Sequence, residues 1–579
     1  MSDVSATPSA AAASTTPKLF VRQSSGLVRN VSVTNALFFN VAAFVGVGLT
    51  LYPIFYSLAG VGVWRAGPFS EYGWAAIIAG LFCVLLALIF ASLTSVMPRS
   101  GGDYVFTSRI LHPGLGWMES WTLVIASVLI IAFEVPLVLR NIQITARVIG
   151  IGAGGLSSAN SWFTDSTGAI TGTPGFIGSL VVLALIAVVC LLPTRQFHRV
   201  VTALAGYGVA CFFAMFIFGL LLTHRSSFDH NLPHYDGGLT ATQIANSGRA
   251  AFLPGSGGNF ISEIFSTSVF PLMLSVLLFQ YIGFQYSAYI AGEVRGNVRR
   301  GVTVALLGAL LIGVLANSVY VDAISSHFGF DTNVSWGAIY WGFDTKIPLP
   351  LGQPNAMPLL AVVANHGLWP LWALISLGGV VFPFLLCPVY INFISRMQLA
   401  WSLDRQVPEW FGRVNERTRA PLNAIIATLV LTGLFLFFQS YKSLPTFLAT
   451  TNHKLDLAGT AWFSIVMAIF TWCLPGVNAL LVRWRRPDLV RNAPYGRALP
   501  WLGLGWLVFP LWIYVFAVAK PIVNALSSGG NALTYLETNG IIDAGVFYLL
   551  GLVIYLVMRW RTSAAGVDAK MLFTELPPD

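Results

Sequence analysis

Long apolar runs alternate with short polar connections along nearly the whole chain. The runs fall at 34–59, 74–96, 115–148, 176–192, 200–222, 267–294, 302–324, 369–397, 424–438, 457–482, 499–518 and 541–558. A helix needs about 20 apolar residues to cross a bilayer. The pattern therefore predicts an all-α polytopic membrane protein with about 12 transmembrane helices. Two runs contain weak points. The first reads V-A-A-F-V-G-V-G-L-T at 41–50, with Gly46 and Gly48 one residue apart; the second reads F-Q-Y-I-G-F at 279–284. Unwinding at such places frees N–H and C=O groups that lipid cannot satisfy. Paired interruptions in corresponding places of two halves are the sequence mark of a secondary transporter's binding site.

Composition narrows the classes. Of 579 residues 56% are hydrophobic and only 9% charged, against about 25% charged in soluble domains. No large soluble domain fits. The net charge of +9 does not imply nucleic acid, because the basic residues sit in the short connections. Counting twelve spans from an inside N-terminus places 23 of the 32 lysines and arginines on one side. Arg65, Arg225, Arg249 and Lys346 fall outside. This alternation predicts cytoplasmic termini in a plasma (inner) membrane, with a disordered N-terminal tail over 1–26 and a C-terminal tail over 563–579. The tail lacks the charged start and apolar middle of a signal peptide. Two long outer connections, 223–266 and 325–368, read as partial lids. The first carries His224, His230 and His234, whose irregular spacing predicts solvated side chains. Asn333-Val334-Ser335 is a glycosylation acceptor only in a eukaryotic cell. The five cysteines lie in apolar stretches and read as packing residues. No cofactor or metal site is expected.

Four stretches carry a family resemblance. They are F-V-G-V-G-L at 44–49; M-P-R-S-G-G-D-Y-V-F at 97–106 with H-P-G-L-G-W at 112–117; F-Q-Y-I-G-F-Q-Y-S-A-Y-I-A-G-E-V-R-G-N-V-R-R at 279–300; and S-R-M-Q-L-A-W-S-L-D-R-Q-V-P-E-W-F-G-R-V-N-E-R-T-R-A-P at 395–421. Together they resemble the amino acid–polyamine–organocation (APC) superfamily of permeases. The resemblance implies a LeuT-type 5+5 inverted-repeat fold. The first repeat would occupy 27–222, the outer connection 223–266, the second repeat 267–486, and two additional transmembrane helices 487–562. It also implies alternating access, with spans 1, 2, 6 and 7 rocking against spans 3, 4, 8 and 9. The substrate would be an amino acid or related amine, driven by an ion gradient, H+ or Na+, or by exchange.

On that scaffold a substrate carboxylate is expected on the backbone of Gly46, Val47 and Gly48, where unpaired N–H groups favour an anion. The ammonium is expected on carbonyls near Phe44, Val45, Phe279, Gln280, Tyr281 and Ile282. Gly283 is the expected bend, and Phe279 matches the family's aromatic gate. Gln285 stands where many members carry an acid, and 200–222 contains no lysine, where some proton-coupled members carry one. Glu134, in mid-span 3, is a candidate proton or cation site, with Gln285 beside it in the proposed route. A carboxylate there is costly unless neutral, paired or wetted; a structural pair with Arg140 or Asn141 is the competing reading. Glu293, near Arg295, Arg299 and Arg300, reads as an inner gate or loop salt bridge. Glu119 and Asp322 read as solvated at span ends, and Asp404-Arg405 as an anchor at the membrane face. Neutral or aromatic amino acids are favoured over cationic ones unless Glu134 faces the site. Two other classes remain: an inorganic-ion transporter on the same scaffold, and a polytopic membrane enzyme.

Overall fold

The computed structural model describes residues 27, 29–44, 65–66, 68–153, 172–249, 270–340, 351, 357–441, 466–527, 541–565 and 573. Residues 45–48, and the tail over 1–26, lie outside the described residues. Within them every expected span is represented by helix. In the first half these are α1 (Val33–Ala43), α2 (Glu71–Val96), the short connector α3 (Asp103–Ile110), α4 (Pro113–Gly152), α5 (Gly172–Cys190) and α6 (Thr194–Leu222). The outer connection folds into α7 (Arg225–Tyr235) and α8 (Ala241–Arg249). The second half continues with α9 (Phe270–Gln280), α10 (Val298–Leu315), α11 (Val321–His327), α12 (Phe330–Tyr340), α13 (Met357–Ala364), α14 (Trp369–Leu403), α15 (Leu422–Tyr441) and α16 (Ile469–Arg485). Then come α17 (Pro487–Asn492), α18 (Leu499–Ile513), α19 (Lys520–Ser527) and α20 (Ile541–Ala564). A two-residue hairpin, Arg65–Ala66 with Phe69–Ser70, leads into α2.

Eight of the described helical stretches are long and apolar enough to cross a membrane. Caps set several of their ends. Ser70 accepts from the Gly73 amide at the start of α2, and His112 from the Gly114 amide at the start of α4, each satisfying a donor that the helix leaves orphaned.

Packing gathers the helices around two centres, which meet where α1 lies against α6 and α14. The most extensive contact joins α4 and α14; α6, α5 and α15 pack around this pair. The other group is α1, α2 and α10, with α9 against α2. In span terms these are 3, 4, 5, 8 and 9 on one hand, and 1, 2, 6 and 7 on the other. The last helix braces the first group, whereas α18 packs on α16 and α2. The indoles of Trp117 and Trp121 donate to the carbonyls of Gly551 and Phe547 at 2.8 and 2.9 Å, pinning α20 to α4. Only glycine at 551 permits this, since a Cβ would lie 2.3 Å from the Trp121 ring.

Where they are described, the two long connections are folded. α8 packs on α12, and α7 on α13. Asn231 donates to the Val363 carbonyl, Ser335 to Ala245, and the Leu351 amide to Asp236. His224, His230 and His234 are exposed, as expected. Asn333 is buried and donates to the Ser325 carbonyl at 3.1 Å, so in this fold it is not presented as a glycan acceptor. Cys83, Cys190, Cys211 and Cys387 are buried, Cys473 half-buried, and all are free thiols.

Candidate functional site

Span 6 breaks where the glycine stands. α9 runs to Gln280, and Gly283 then adopts φ +108°, a region that side chains disfavour. Space makes the same demand: a Cβ on Gly283 would sit 2.0 Å from the Ala43 carbonyl oxygen at the end of α1. Beyond the break the chain does not resume an α-helix. It makes 3-10 turns at Tyr286–Tyr289 and Ala291–Glu293.

The break leaves backbone groups free. The Phe279 carbonyl is taken by the Ile282 amide at 3.1 Å. The carbonyls of Gln280, Tyr281 and Ile282, and the amides of Gly283, Phe284 and Gln285, make no backbone bond among the described residues. Both polarities are thus on offer beside the end of α1. Aromatic rings close around this point. Phe44 lies 5.3 Å from the Tyr281 ring and 6.5 Å from Phe284. It reaches over Gly313 of α10, whose Cβ would strike the Phe44 ring. The Tyr281 hydroxyl is committed to the Ala76 carbonyl of α2 at 2.8 Å. Phe279 is buried in the last turn of α9.

Sequence reading missed the side chains that hold the break in place. Asn40 of α1 accepts from the Ser287 amide at 2.6 Å and donates to the Ser287 hydroxyl at 3.0 Å. Two partners on one residue tie span 1 to the turn in span 6. The Tyr72 hydroxyl lies 2.9 Å from Gln280 Oε1 and 2.8 Å from Asn317 Oδ1. Asn317 belongs to a π-helical turn, Ala316–Tyr320, between α10 and α11; such turns gather at functional sites. The available signal was an asparagine within an apolar run, Asn40 in the first and Asn317 in the seventh.

Glu134 is 3% exposed on α4. No ion pair or hydrogen bond to its carboxyl occurs among the described residues, and Asn141 is instead committed to the Gly379 carbonyl. Cys387 and Tyr390 of α14 lie within its electrostatic reach. Pro136 follows in α4, with Pro383 and Pro388 in α14, so both helices lose backbone donors in the stretches that meet there. The hydroxyls of Tyr286, Tyr390 and Ser127 are buried beside one another, and the side-chain Oε1 of Gln285 is buried without a hydrogen bond among the described residues. A polar seam therefore runs from Glu134 towards the turn of span 6.

Below the break, on the arginine-rich side, two buried ion pairs tie the helices together. Glu293 pairs with Arg396 of α14, Oε1 to Nε at 2.8 Å and Oε2 to Nη2 at 3.2 Å, both side chains 1% exposed. Arg295, Arg299 and Arg300 are exposed, so the sequence neighbours of Glu293 are not its partner. Asp404 also departs from expectation. It is no membrane-face anchor but is buried, held by Arg109 at 2.8 and 2.7 Å and by the Tyr104 hydroxyl at 2.8 Å. Val31 bonds both ways to the end of span 6, from its amide to the Glu293 carbonyl and from its carbonyl to the Arg295 amide, each 2.9 Å. Glu119 and Asp322, expected in solvent, are buried. Asp322 accepts from the Ser70 amide at 2.9 Å, joining span 7 to the start of span 2.

A profile of the amino acid permease family matches residues 32–547. The chain is 23% identical over 524 residues to the branched-chain amino acid permease BcaP of Lactococcus lactis subsp. cremoris (strain MG1363), covering 88% of this chain and 91% of that protein. It is 21% identical over 518 residues to the methylthioribose transporter of Bacillus subtilis (strain 168), covering 85% and 93% respectively. The aspartate-proton symporter of the same strain is 22% identical over 390 residues, covering 66% of this chain and 63% of that protein.

Proposed function

The chain belongs to the amino acid permease family, and from that premise we propose that it is a secondary active transporter of a neutral amino acid with an apolar side chain. Family membership carries the LeuT-type fold and sets aside a membrane enzyme. The observation that carries the proposal is the break at Gly283, pressed against the Ala43 carbonyl. It offers unpaired carbonyls for an ammonium and unpaired amides for a carboxylate. Phe44, Tyr281 and Phe284 gather beside that point and suit an apolar side chain. A branched-chain permease among the relatives, matched over 91% of its length, supports this class.

Alternating access would move α1, α2, α9 and α10 against α4, α5, α14 and α15, with the contact of α1 on α6 and α14 as the seam between them. The repeats would be 27–222 and 267–486. Glu293 with Arg396 would be the inner gate, and Phe279 the gate over the substrate. Glu134 would hold the coupling cation, H+ or Na+. The arginine distribution supports a plasma membrane location with both termini cytoplasmic.

The test is thermal stabilisation of the purified protein across the twenty amino acids, several polyamines and simple salts at two pH values. A ligand bound only by the folded state adds about 2.7 kcal/mol of stability at a hundred times its Kd. Leucine, isoleucine, valine or methionine should raise the melting temperature. A response to inorganic ions but to no amine would refute the amino acid assignment.

A further inference from the structure

Two acids on the arginine-rich side are used by none of the steps above. Asp103 opens α3, just after Gly101 and Gly102, both at positive φ. Gly102 is pressed on the Tyr289 ring, where a Cβ would come within 2.5 Å. The Tyr289 hydroxyl donates to Asp103 Oδ2 at 2.7 Å, and the Tyr104 amide to Oδ1 at 2.8 Å. Glu119 lies in the second turn of α4, fully buried. The Thr107 hydroxyl, which accepts from Asn478, is the one donor directed at its carboxyl, and no cation pairs with it among the described residues. Asp103 is the charge that acts on it.

No cation serves this pair among the described residues. Arg109 of α3 is paired with Asp404 through both terminal nitrogens. The groups facing the acids are Tyr289 and Tyr286 from the non-helical stretch of span 6, Cys473 and Asn478 from α16, and Thr107 from α3. Asn478 is itself buried, donates to Thr107 Oγ1 at 2.7 Å, and leaves its own Oδ1 unpartnered among the described residues. Two buried carboxylates acting on each other without a counter-charge cannot both be ionised.

We propose that Asp103 and Glu119 share one proton, bound while the arginine-rich side is closed and released to that side when the non-helical half of span 6 withdraws Tyr289. With the proton gone, two negative charges would face each other in a dry site. Withdrawal of Tyr289 admits water and relieves them. Proton occupancy and closure are therefore linked, and each favours the other. Burial pushes the Asp103 carboxyl above the ordinary carboxylate range, against its hydrogen bonds from Tyr289 and Tyr104, in keeping with a proton held near neutral pH. The inference rests on the alternating-access reading for its role in transport, while the proton site itself stands on the local geometry.

The experiment is infrared difference spectroscopy of the full-length purified protein between pH 6 and pH 9. The wild type should show the carbonyl stretch of a protonated carboxyl that disappears at high pH. Glu119→Gln should lose that component, with one fewer proton released per molecule in a weakly buffered pH jump, because Asp103 alone keeps its hydrogen bonds from Tyr289 and Tyr104. Asp103→Asn should move its disappearance to a different pH by removing the facing charge. Glu134→Gln should change neither. If one variant fails to fold, the other decides. A component unchanged in the folded variants overturns the proposal. So does its removal at constant pH by sodium chloride but not choline chloride, which would make the pair a metal-ion site. Amino-acid stabilisation that persists while the carboxyl component is unaffected by the variants would refute this inference and leave the permease reading standing.

Discussion

The Glu293–Arg396 pair makes the sharpest energetic prediction. Both side chains are 1% exposed and meet through two hydrogen bonds. Glu293→Gln keeps one acceptor but leaves the Arg396 charge buried without a counter-ion. Removing one member of such a pair costs about 3–5 kcal/mol. The retained acceptor places the expected loss at the lower end, about 3 kcal/mol. For a chain of this size a loss of 1 kcal/mol lowers the melting temperature by about 2 °C, so Glu293→Gln should melt about 6 °C below wild type. Replacing both members with groups of similar volume is often neutral. Glu293→Gln with Arg396→Met should therefore recover to within about 2 °C of wild type. Thermal unfolding of the four proteins in one detergent closes the double-mutant cycle. If Glu293→Gln melts with the wild type, or if the two changes simply add, the pair is not the buried, mutually compensating unit described above.

Asp236 predicts a pH dependence confined to the outer cap. Burial lifts its carboxyl to about 6 from an ordinary 3.8, partly offset by the hydrogen bond from the Leu351 amide. Its folded pKa is raised, so the native state holds more protons between those values. Stability is then greatest below about pH 4 and falls as pH rises towards 6, by about 3 kcal/mol in all. Asp236→Asn should melt higher than wild type at pH 7.5, by a margin that shrinks towards pH 4.5; a margin independent of pH would contradict this. Gly283→Ala, with its Cβ 2.0 Å from the Ala43 carbonyl at φ +108°, should lower the melting temperature and abolish stabilisation by amino acids. Gly296→Ala is the control. That residue also has positive φ (+77°) but nothing within 4 Å, so it should cost only about 1–2 kcal/mol and leave ligand stabilisation intact.

Hydropathy made the spans legible because lipid enforces it residue by residue along each helix. The break in span 6 was legible for a related reason: a glycine in mid-span is a local backbone fact. The partners were not. Asn40 and Ser287 lie 247 residues apart in the chain, Glu293 and Arg396 lie 103 apart, and Arg109 and Asp404 lie 295 apart. Hydropathy fixes a residue's depth along the membrane normal but says nothing of what covers it sideways. Glu119 and Asp322 were misjudged on that account. Both lie near span ends, and neighbouring helices close over both. The expected carboxylate site at Gly46, Val47 and Gly48 falls at 45–48, outside the described residues.

The distance of Arg109 from Asp404 also has a meaning in time. At about 5–20 residues per second of synthesis, a separation of 295 residues delays the partner by about 15–60 s. During that interval Arg109 has left the ribosome but lacks its counter-ion, and Asn40 waits in the same way for Ser287. The seal on the arginine-rich side therefore cannot be completed until Asp404 has been made. Chains truncated before Asp404 carry an uncompensated arginine, a ready signal for the cell's removal of unfinished proteins.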